Sequence, residues 1–457
     1  MHDLTKGSIA GHIGRLAAPL AAGMVFQTLY YLVDLFFVAR LGGTAIAGVS
    51  AAGNVQFIIM ALTQVLGVGT MVLISHASGR KDRADANLIY NQSLLMAAIC
   101  AALTLVAGFG LSRWYLGTIS ADAATFEAGM TYLRWFTPGM ALQFALVSMG
   151  SALRGTGVAK PTMIVQMITV LLNAVLAPVL IAGVGTGRPM GVAGAGLASS
   201  ISVVAGVIMM IVYFERLEHF VGFDAEKFRP RPAAWSRILR IGLPAGGEFA
   251  LMFLYMAVVY WTIRGFGPEA QAGFGVGGRV MQAVFLPAMA IAFAAAPVAG
   301  QNFGAGRFDR ARRTFGTATL IGTGLMLALT VLIQVEAGQL VGIFTRDAAV
   351  VAVAVGFLHI ISFNFVATGV IFTCSSMFQA LGNTVPSVIS SATRLVTFAL
   401  PAMWLSTRPG FQIRQIWILS VVTVAVQLAV SLLLLRREFH RKLGTPAAAL
   451  AASPASA

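Results

Sequence analysis

The sequence predicts an all-α polytopic membrane protein: twelve transmembrane helices in two six-helix bundles, related by a pseudo-twofold axis along the membrane normal. Three observations predict it. The 457 residues are 58% apolar and only 10% charged, whereas a soluble domain carries about 25% charged residues. Such a chain has too little polar surface to cover its core in water. The apolar residues fall into twelve runs near the ~20 residues that a spanning helix needs. The two halves of the chain also repeat each other in order.

The runs cover about 14–39, 45–76, 87–112, 123–152, 161–183, 191–215, 236–264, 269–302, 314–336, 348–380, 385–406 and 413–435. They are continuous and rich in Leu, Ala, Met and Gly, unlike the alternating segments of about ten residues in a β-barrel. The second, eighth and tenth runs exceed ~30 Å of hydrocarbon at 1.5 Å per residue, which predicts tilting, kinking or projection. The first run is too long for a removed signal sequence. Residues 1–215 read as an amino-terminal lobe, 216–235 as a charged linker and 236–440 as a carboxy-terminal lobe. Residues 441–457, largely Ala, Ser and Pro, read as a disordered tail.

Twelve spans put both chain ends on one side. That side carries 21 of the 31 Lys and Arg residues, the opposite loops carry 7, and Arg134, Arg279 and Arg394 fall within spans. By the positive-inside rule both termini are cytoplasmic. The net charge of +15 is thus spent on topology. No polar scaffold carries a basic face, so nucleic acid is excluded as a partner. Cys100 and Cys374 lie in apolar runs and form no disulfide framework or zinc site. No G-x-x-x-x-G-K-[ST] loop is present, which excludes ATP-driven transport by this chain alone. No metal, nucleophile or cofactor motif appears, so the chain is not read as an enzyme.

The repeat runs at an offset of 225 residues. Arg15–Pro19 ("RLAAP") matches Arg240–Pro244 ("RIGLP"), Gly42 falls on Gly267, and Gly48 on Gly273. Gly79 in "SGRKDRADA" falls on Gly304 in "FGAGRFDRARR", and "LRGTGVAKP" matches "ALGNTVP". Each half has six spans, an even number, so the repeats are parallel rather than inverted. Two homologous bundles around a midplane site are a transporter architecture.

Few acids lie deep in spans. Asp34 is the clearest, and Gln27, Tyr31 and Asp34 share one helical face. A carboxylate there must pair, bind a cation or take a proton, because an ionised group in hydrocarbon costs several kcal/mol. Gln166 and Asn173 form a second polar stripe in span five, with Ser199 in span six. Glu248 is the second deep acid, on a stripe with Met252 and Tyr255. Arg279 and Arg394 are candidate partners for the acids, and His359 is a candidate relay.

The chain resembles the multidrug and toxic compound extrusion (MATE) family over about residues 10–435. The features carrying the resemblance are Pro19 with Asp34, "RLGGTAIAG" from Arg40, "SALRGTGVAKPT" from Ser151 and "LNAVLAPVLIAGVGTG" from Leu172. They continue with "GVAGAGLAS" from Gly191, "IGLPAGGE" from Ile241 and "FQALGNTVPS" from Phe378. The resemblance implies a monomeric antiporter in the bacterial plasma (inner) membrane that expels amphipathic, often cationic, small molecules in exchange for protons or sodium. It implies that Asp34 is the coupling carboxylate, with Asn173 nearby. It matches Glu248 to a carboxylate used by one branch of the family. Two departures stand out. Ala177 replaces an acid that some relatives carry, and no acid lies near Val370, where a companion of Glu248 would be. One deep acid per lobe favours protons over sodium. The alternative is a flippase for a lipid-linked precursor, which twelve spans and two deep acids disfavour.

Overall fold

The computed structural model describes residues 2–120, 122–218 and 220–444, without the side chains of Tyr31 and Leu35. The described residues form thirteen α-helices and no strand. The first half contains α1 (Ile9–Ala39), α2 (Gly43–Arg80), α3 (Arg83–Ile119), α4 (Ala123–Gly155), α5 (Lys160–Ile181) and α6 (Val192–Arg216). The second contains α7 (Pro232–Ile263), α8 (Pro268–Gly304), α9 (Phe308–Gly342), α10 (Ala348–Ile361), α11 (Phe365–Ala380), α12 (Val385–Ser406) and α13 (Ile413–Leu443). A 3-10 turn, Ser362–Asn364, joins α10 and α11 into one broken span, so twelve segments are long and apolar enough to cross a membrane.

Helix ends outrun the apolar runs because caps, not hydropathy, set them. Asp82 accepts the Asp85 N–H to start α3, and Asp122 accepts the Thr125 N–H to start α4. Asp347 accepts two N–H groups at the head of α10. Pro161, Pro268 and Pro386 stand in the first turns of α5, α8 and α12, where a missing N–H costs nothing. α13 continues through Arg441 to Leu443, so those residues are helical rather than tail. The remainder of the expected tail, 445–457, lies outside the described residues.

The chain divides into two compact units. Unit 1 is Met1–Asp3 with Pro19–Gly246, and unit 2 is Leu4–Ala18 with Gly247–Ala457. The division therefore runs inside α1 and α7 instead of through 216–235. It falls at Pro19 in α1 and two residues past Pro244 in α7. A proline inside a helix removes one backbone hydrogen bond and crowds the preceding turn, which makes these the weak points of the two lead helices.

In unit 1 the head of α7 is packed tightly on α2. Gly242 and Gly246, four residues apart, face Val65, and a Cβ at Gly242 would sit 1.9 Å from the Val65 carbonyl oxygen. Small residues at this spacing let two membrane helices approach to backbone contact. Asp85 of α3 takes both guanidinium nitrogens of Arg237 at 2.8 and 3.0 Å, and also Arg80 at 2.9 Å. The 216–235 segment is strapped to α3 rather than free. Asn91 Nδ2 donates to the Gly222 carbonyl, and the Gln92 amide binds the Lys227 and Arg229 carbonyls. Gln92 Oε1 also accepts from the Arg231 N–H and the Trp235 indole.

In unit 2 the start of the chain is held in the same manner by α8 and α9. Gln301 accepts the Leu4 N–H, Asn302 donates to the Leu4 carbonyl, and Arg310 donates to the Gly7 carbonyl. Arg310 is the residue that the 225-residue offset places on Asp85. The core of unit 2 is aromatic: Phe274 stacks on Trp417 at 5.7 Å, and Phe357 meets Trp417 edge-on at 4.8 Å.

Candidate functional site

In unit 1, Asp34 lies in the last third of α1, half-buried. Its side chain accepts a hydrogen bond from Tyr132 of α4. Tyr132 is itself buried, with its ring 5.3 Å from that of Phe136. Asp34 Oδ1 is buried and hydrogen bonds to no described residue. Buried acceptors are almost always paired, so an unused carboxylate oxygen marks a position open to a proton, a cation or a substrate donor. Gln27 is exposed on the same helix, and the Tyr31 side chain lies outside the described residues.

Asn173 of α5 and Ser199 of α6 come together. Both are fully buried, and Asn173 Nδ2 reaches Ser199 Oγ at 3.5 Å. Asn173 Oδ1 is a second buried acceptor without a described partner. Ala177, one turn further on, is fully buried and contributes no oxygen. Gln166 is half-buried and is not joined to Asn173. A further polar pair was not anticipated: the amides of Gln56 in α2 and Gln143 in α4 bond at 2.7 Å.

In unit 2, Glu248 has a different environment. The Ser375 hydroxyl of α11 lies 3.2 Å from Oε1 and 3.0 Å from Oε2, and Ser387 of α12 lies 3.1 Å from Ser375. When Glu248 is ionised, Ser387 donates to Ser375, which donates to the carboxylate. Ser375, backed by Ser387, is thus the hydrogen-bonding neighbour of Glu248. No sequence signal picked out Ser375 or Ser387, because serines are common in membrane helices. Met252 is exposed, and Tyr255 hydrogen bonds to Ser420 at 3.0 Å.

The expectation that Arg279 and Arg394 neutralise the deep acids is corrected. Arg279 is exposed, and Arg394 packs its guanidinium 4.2 Å from the Tyr255 ring centroid instead of pairing with a carboxylate. His359 is half-buried, and its carbonyl, not its ring, accepts from Gln334 and Ser362. A cavity of about 360 Å³ lined by Arg312, Phe315, Leu432, Arg436 and Phe439 sits at the basic ends of α9 and α13, and Glu248 does not line it. No cluster of metal-ligating side chains occurs among the described residues.

The MatE family model matches the chain twice, over residues 19–179 and 244–405. The two matches begin at Pro19 and Pro244, one repeat apart, and together cover more than half the chain. The chain belongs to the MATE family. It is a transporter, and its twelve spans place it in a membrane. Among curated relatives, it is 26% identical over 391 residues to a probable multidrug resistance protein, YoeA, of Bacillus subtilis, covering 84% of each chain. It is 25% identical over 388 residues to the multidrug export protein MepA of Staphylococcus saprophyticus, again covering 84% of each. It is 23% identical over 407 residues to an FAD transporter of Shewanella oneidensis, covering 88% of each. Among solved structures, a MOP superfamily transporter from Pyrococcus furiosus aligns with a TM-score of 0.89 at 26% identity, covering 97% of this MATE chain and 98% of that one. Reverse polarity of its binding pocket is taken to suggest a different function for that protein. An outward-facing multidrug resistance MATE transporter aligns equally well, with a TM-score of 0.89 at 26% identity and coverage of 97% and 98%.

Proposed function

We propose that this MATE protein exports amphipathic small molecules, cations among them, from the cytoplasm by proton antiport, alternating access to its site between the two membrane faces. The observation that carries the reading is Asp34: a carboxylate in the membrane-spanning part of unit 1 with one oxygen bonded by Tyr132 and the other without a partner among the described residues. The relative MepA, a multidrug export protein, supports the direction of transport.

The choice of ion follows from counting ligands. Sodium is a hard cation that takes several oxygens, preferably with negative charge nearby. The buried neutral candidates in unit 1 are Asn173 and Ser199, which bond each other, and Ala177 adds nothing. A proton needs a single carboxylate. Protonation from the outer side removes the charge of Asp34 and releases a cationic substrate. Deprotonation toward the cytoplasm restores the charge, and the next cation binds. Proton and cation compete for one carboxylate, so each weakens the other by the same factor.

The test is rhodamine 6G accumulation in inverted vesicles energised separately by a pH gradient or a sodium gradient at fixed membrane potential. Accumulation with the pH gradient alone is expected. Accumulation that requires sodium and ignores pH would overturn the proton assignment. No accumulation under either gradient would overturn the export reading.

A further inference from the structure

Arg394 is the one deep cation of α12 and pairs with no acid among the described residues. It stands nine residues into the helix, far from the charged chain ends. Its guanidinium lies 4.2 Å from the Tyr255 ring centroid. Tyr255 is fixed on two sides, by its bond to Ser420 at 3.0 Å and by the ring of Phe398 at 4.9 Å. Arg394 Nε is buried and bonds to no described residue. No ion pair joins Arg394 among the described residues.

Its place in the helix register adds to this. Glu248 and Tyr255 are seven residues apart on α7, and Ser387 and Arg394 are seven apart on α12. The pairs Glu248–Ser387, through Ser375, and Tyr255–Arg394 ascend in the same chain direction on both helices. Ser387 is linked through Ser375 to Glu248, and Arg394 covers Tyr255. The two polar levels are therefore separated by two helical turns, about 10 Å of rise. Glu248 is answered by hydroxyls at one level, and the guanidinium remains unanswered at the other. An arginine inside a membrane bundle marks a ligand or ion path by default. Stacked on an aromatic face, it keeps its planar N–H edge free for a matching acid, which a carboxylate or phosphate fits with two parallel bonds.

We infer that Arg394, held over Tyr255, binds the carboxylate or phosphate group of transported compounds, so that the substrates include amphipathic acids and zwitterions. The inference rests on the export reading above and narrows its substrate class.

The test uses the purified full chain in nanodiscs of neutral lipid with two xanthene dyes of similar size. Fluorescein carries a free carboxylate, whereas in rhodamine 6G that group is esterified. The wild type is expected to bind both by fluorescence polarisation. Arg394→Gln is expected to weaken fluorescein at least about tenfold, the loss of a charged hydrogen-bonded partner, with rhodamine 6G changed less than about threefold. Arg394→Lys keeps the charge but loses the fork and the stacking. It should fall between the two, and it carries the test if the glutamine variant does not fold. Equal weakening of both dyes in a variant that melts like the wild type would reduce Arg394 to a structural residue. Wild-type protein that binds rhodamine 6G but not fluorescein would overturn the inference while leaving export intact. Absence of rhodamine 6G accumulation in wild-type vesicles would instead count against the export reading.

Discussion

The acid of unit 1 and the acid of unit 2 sit on one duplicated scaffold and are held in opposite ways. Among the described residues Asp34 has one tyrosine partner and an unpaired oxygen, with an amide–hydroxyl pair, Asn173 and Ser199, elsewhere in the same unit. Glu248 has both oxygens within reach of Ser375, which Ser387 backs in turn. A carboxylate whose two oxygens share one hydroxyl donor has fewer openings than one with an oxygen that meets no described partner. Duplication supplied the helices, and divergence left one deep acid in each unit at unmatched positions. At matched positions the difference is complete: the 225-residue offset puts Val259, fully apolar and buried, opposite Asp34, and Gly23 opposite Glu248.

Breaking the comparison at Asp34 has the largest expected effect. Asp34→Asn keeps the shape and the Tyr132 contact but cannot titrate. Efflux driven by a pH gradient should fall to the level of protein-free vesicles, with expression and melting retained. Wild-type rates across pH 6–8 would make Asp34 structural.

Next in size is a packing contrast within α7. Gly242 faces the Val65 backbone, whereas nothing lies within 4 Å of a Cβ at Gly247. Gly242→Ala should destabilise the protein by about 1–3 kcal/mol through overpacking, read as a lower melting temperature. Gly247→Ala should leave melting unchanged or raise it slightly.

Glu248 comes third. Glu248→Gln retains acceptor and donor groups for Ser375, so transport should drop only several-fold. Ser375→Ala leaves the carboxylate short of a donor and should cost about 1–3 kcal/mol of stability. Loss of all transport in Glu248→Gln, with mild loss in Asp34→Asn, would reverse the roles of the two units.

The smallest effect is at a helix cap. The Thr125 N–H holds the Asp122 carboxyl below the ordinary carboxylate range. A group lowered on folding contributes stability above its unfolded value, and the contribution disappears as pH falls through the folded one. Asp122→Ala should therefore lower the melting temperature slightly at neutral pH, and the difference should vanish in acid.

Most of the fold was legible in the sequence. Lipid demands long apolar runs between charged loops, and those runs located all twelve spans. The repeat was legible because Pro19 and Pro244, and Gly48 and Gly273, keep their places. The division inside α1 and α7 was not legible. An apolar helix crossing from one unit to the other looks like any other span, and only packing reveals where its partners change. The strapping of 216–235 to α3 escaped notice for the same reason, since it depends on Asn91 and Gln92 some 130 residues away. In the candidate site, Asp34 and Glu248 were visible because a deep acid is rare and costly. Asn173 and Ser199 were visible as polar breaks in apolar helices. Tyr132, Ser375 and Ser387 were not, because amphipathic residues are unremarked until a partner distant in sequence faces them. The charge of Arg394 points to an acid, whereas its stacking chooses Tyr255.

The measurement that bears most directly on the account is proton release on substrate binding. Purified protein in weakly buffered solution near pH 7 is titrated with rhodamine 6G while the pH is followed. The wild type and Glu248→Gln should release protons as the dye binds, and Asp34→Asn should bind without release. Release that persists in Asp34→Asn and disappears in Glu248→Gln would contradict the account and move coupling to unit 2.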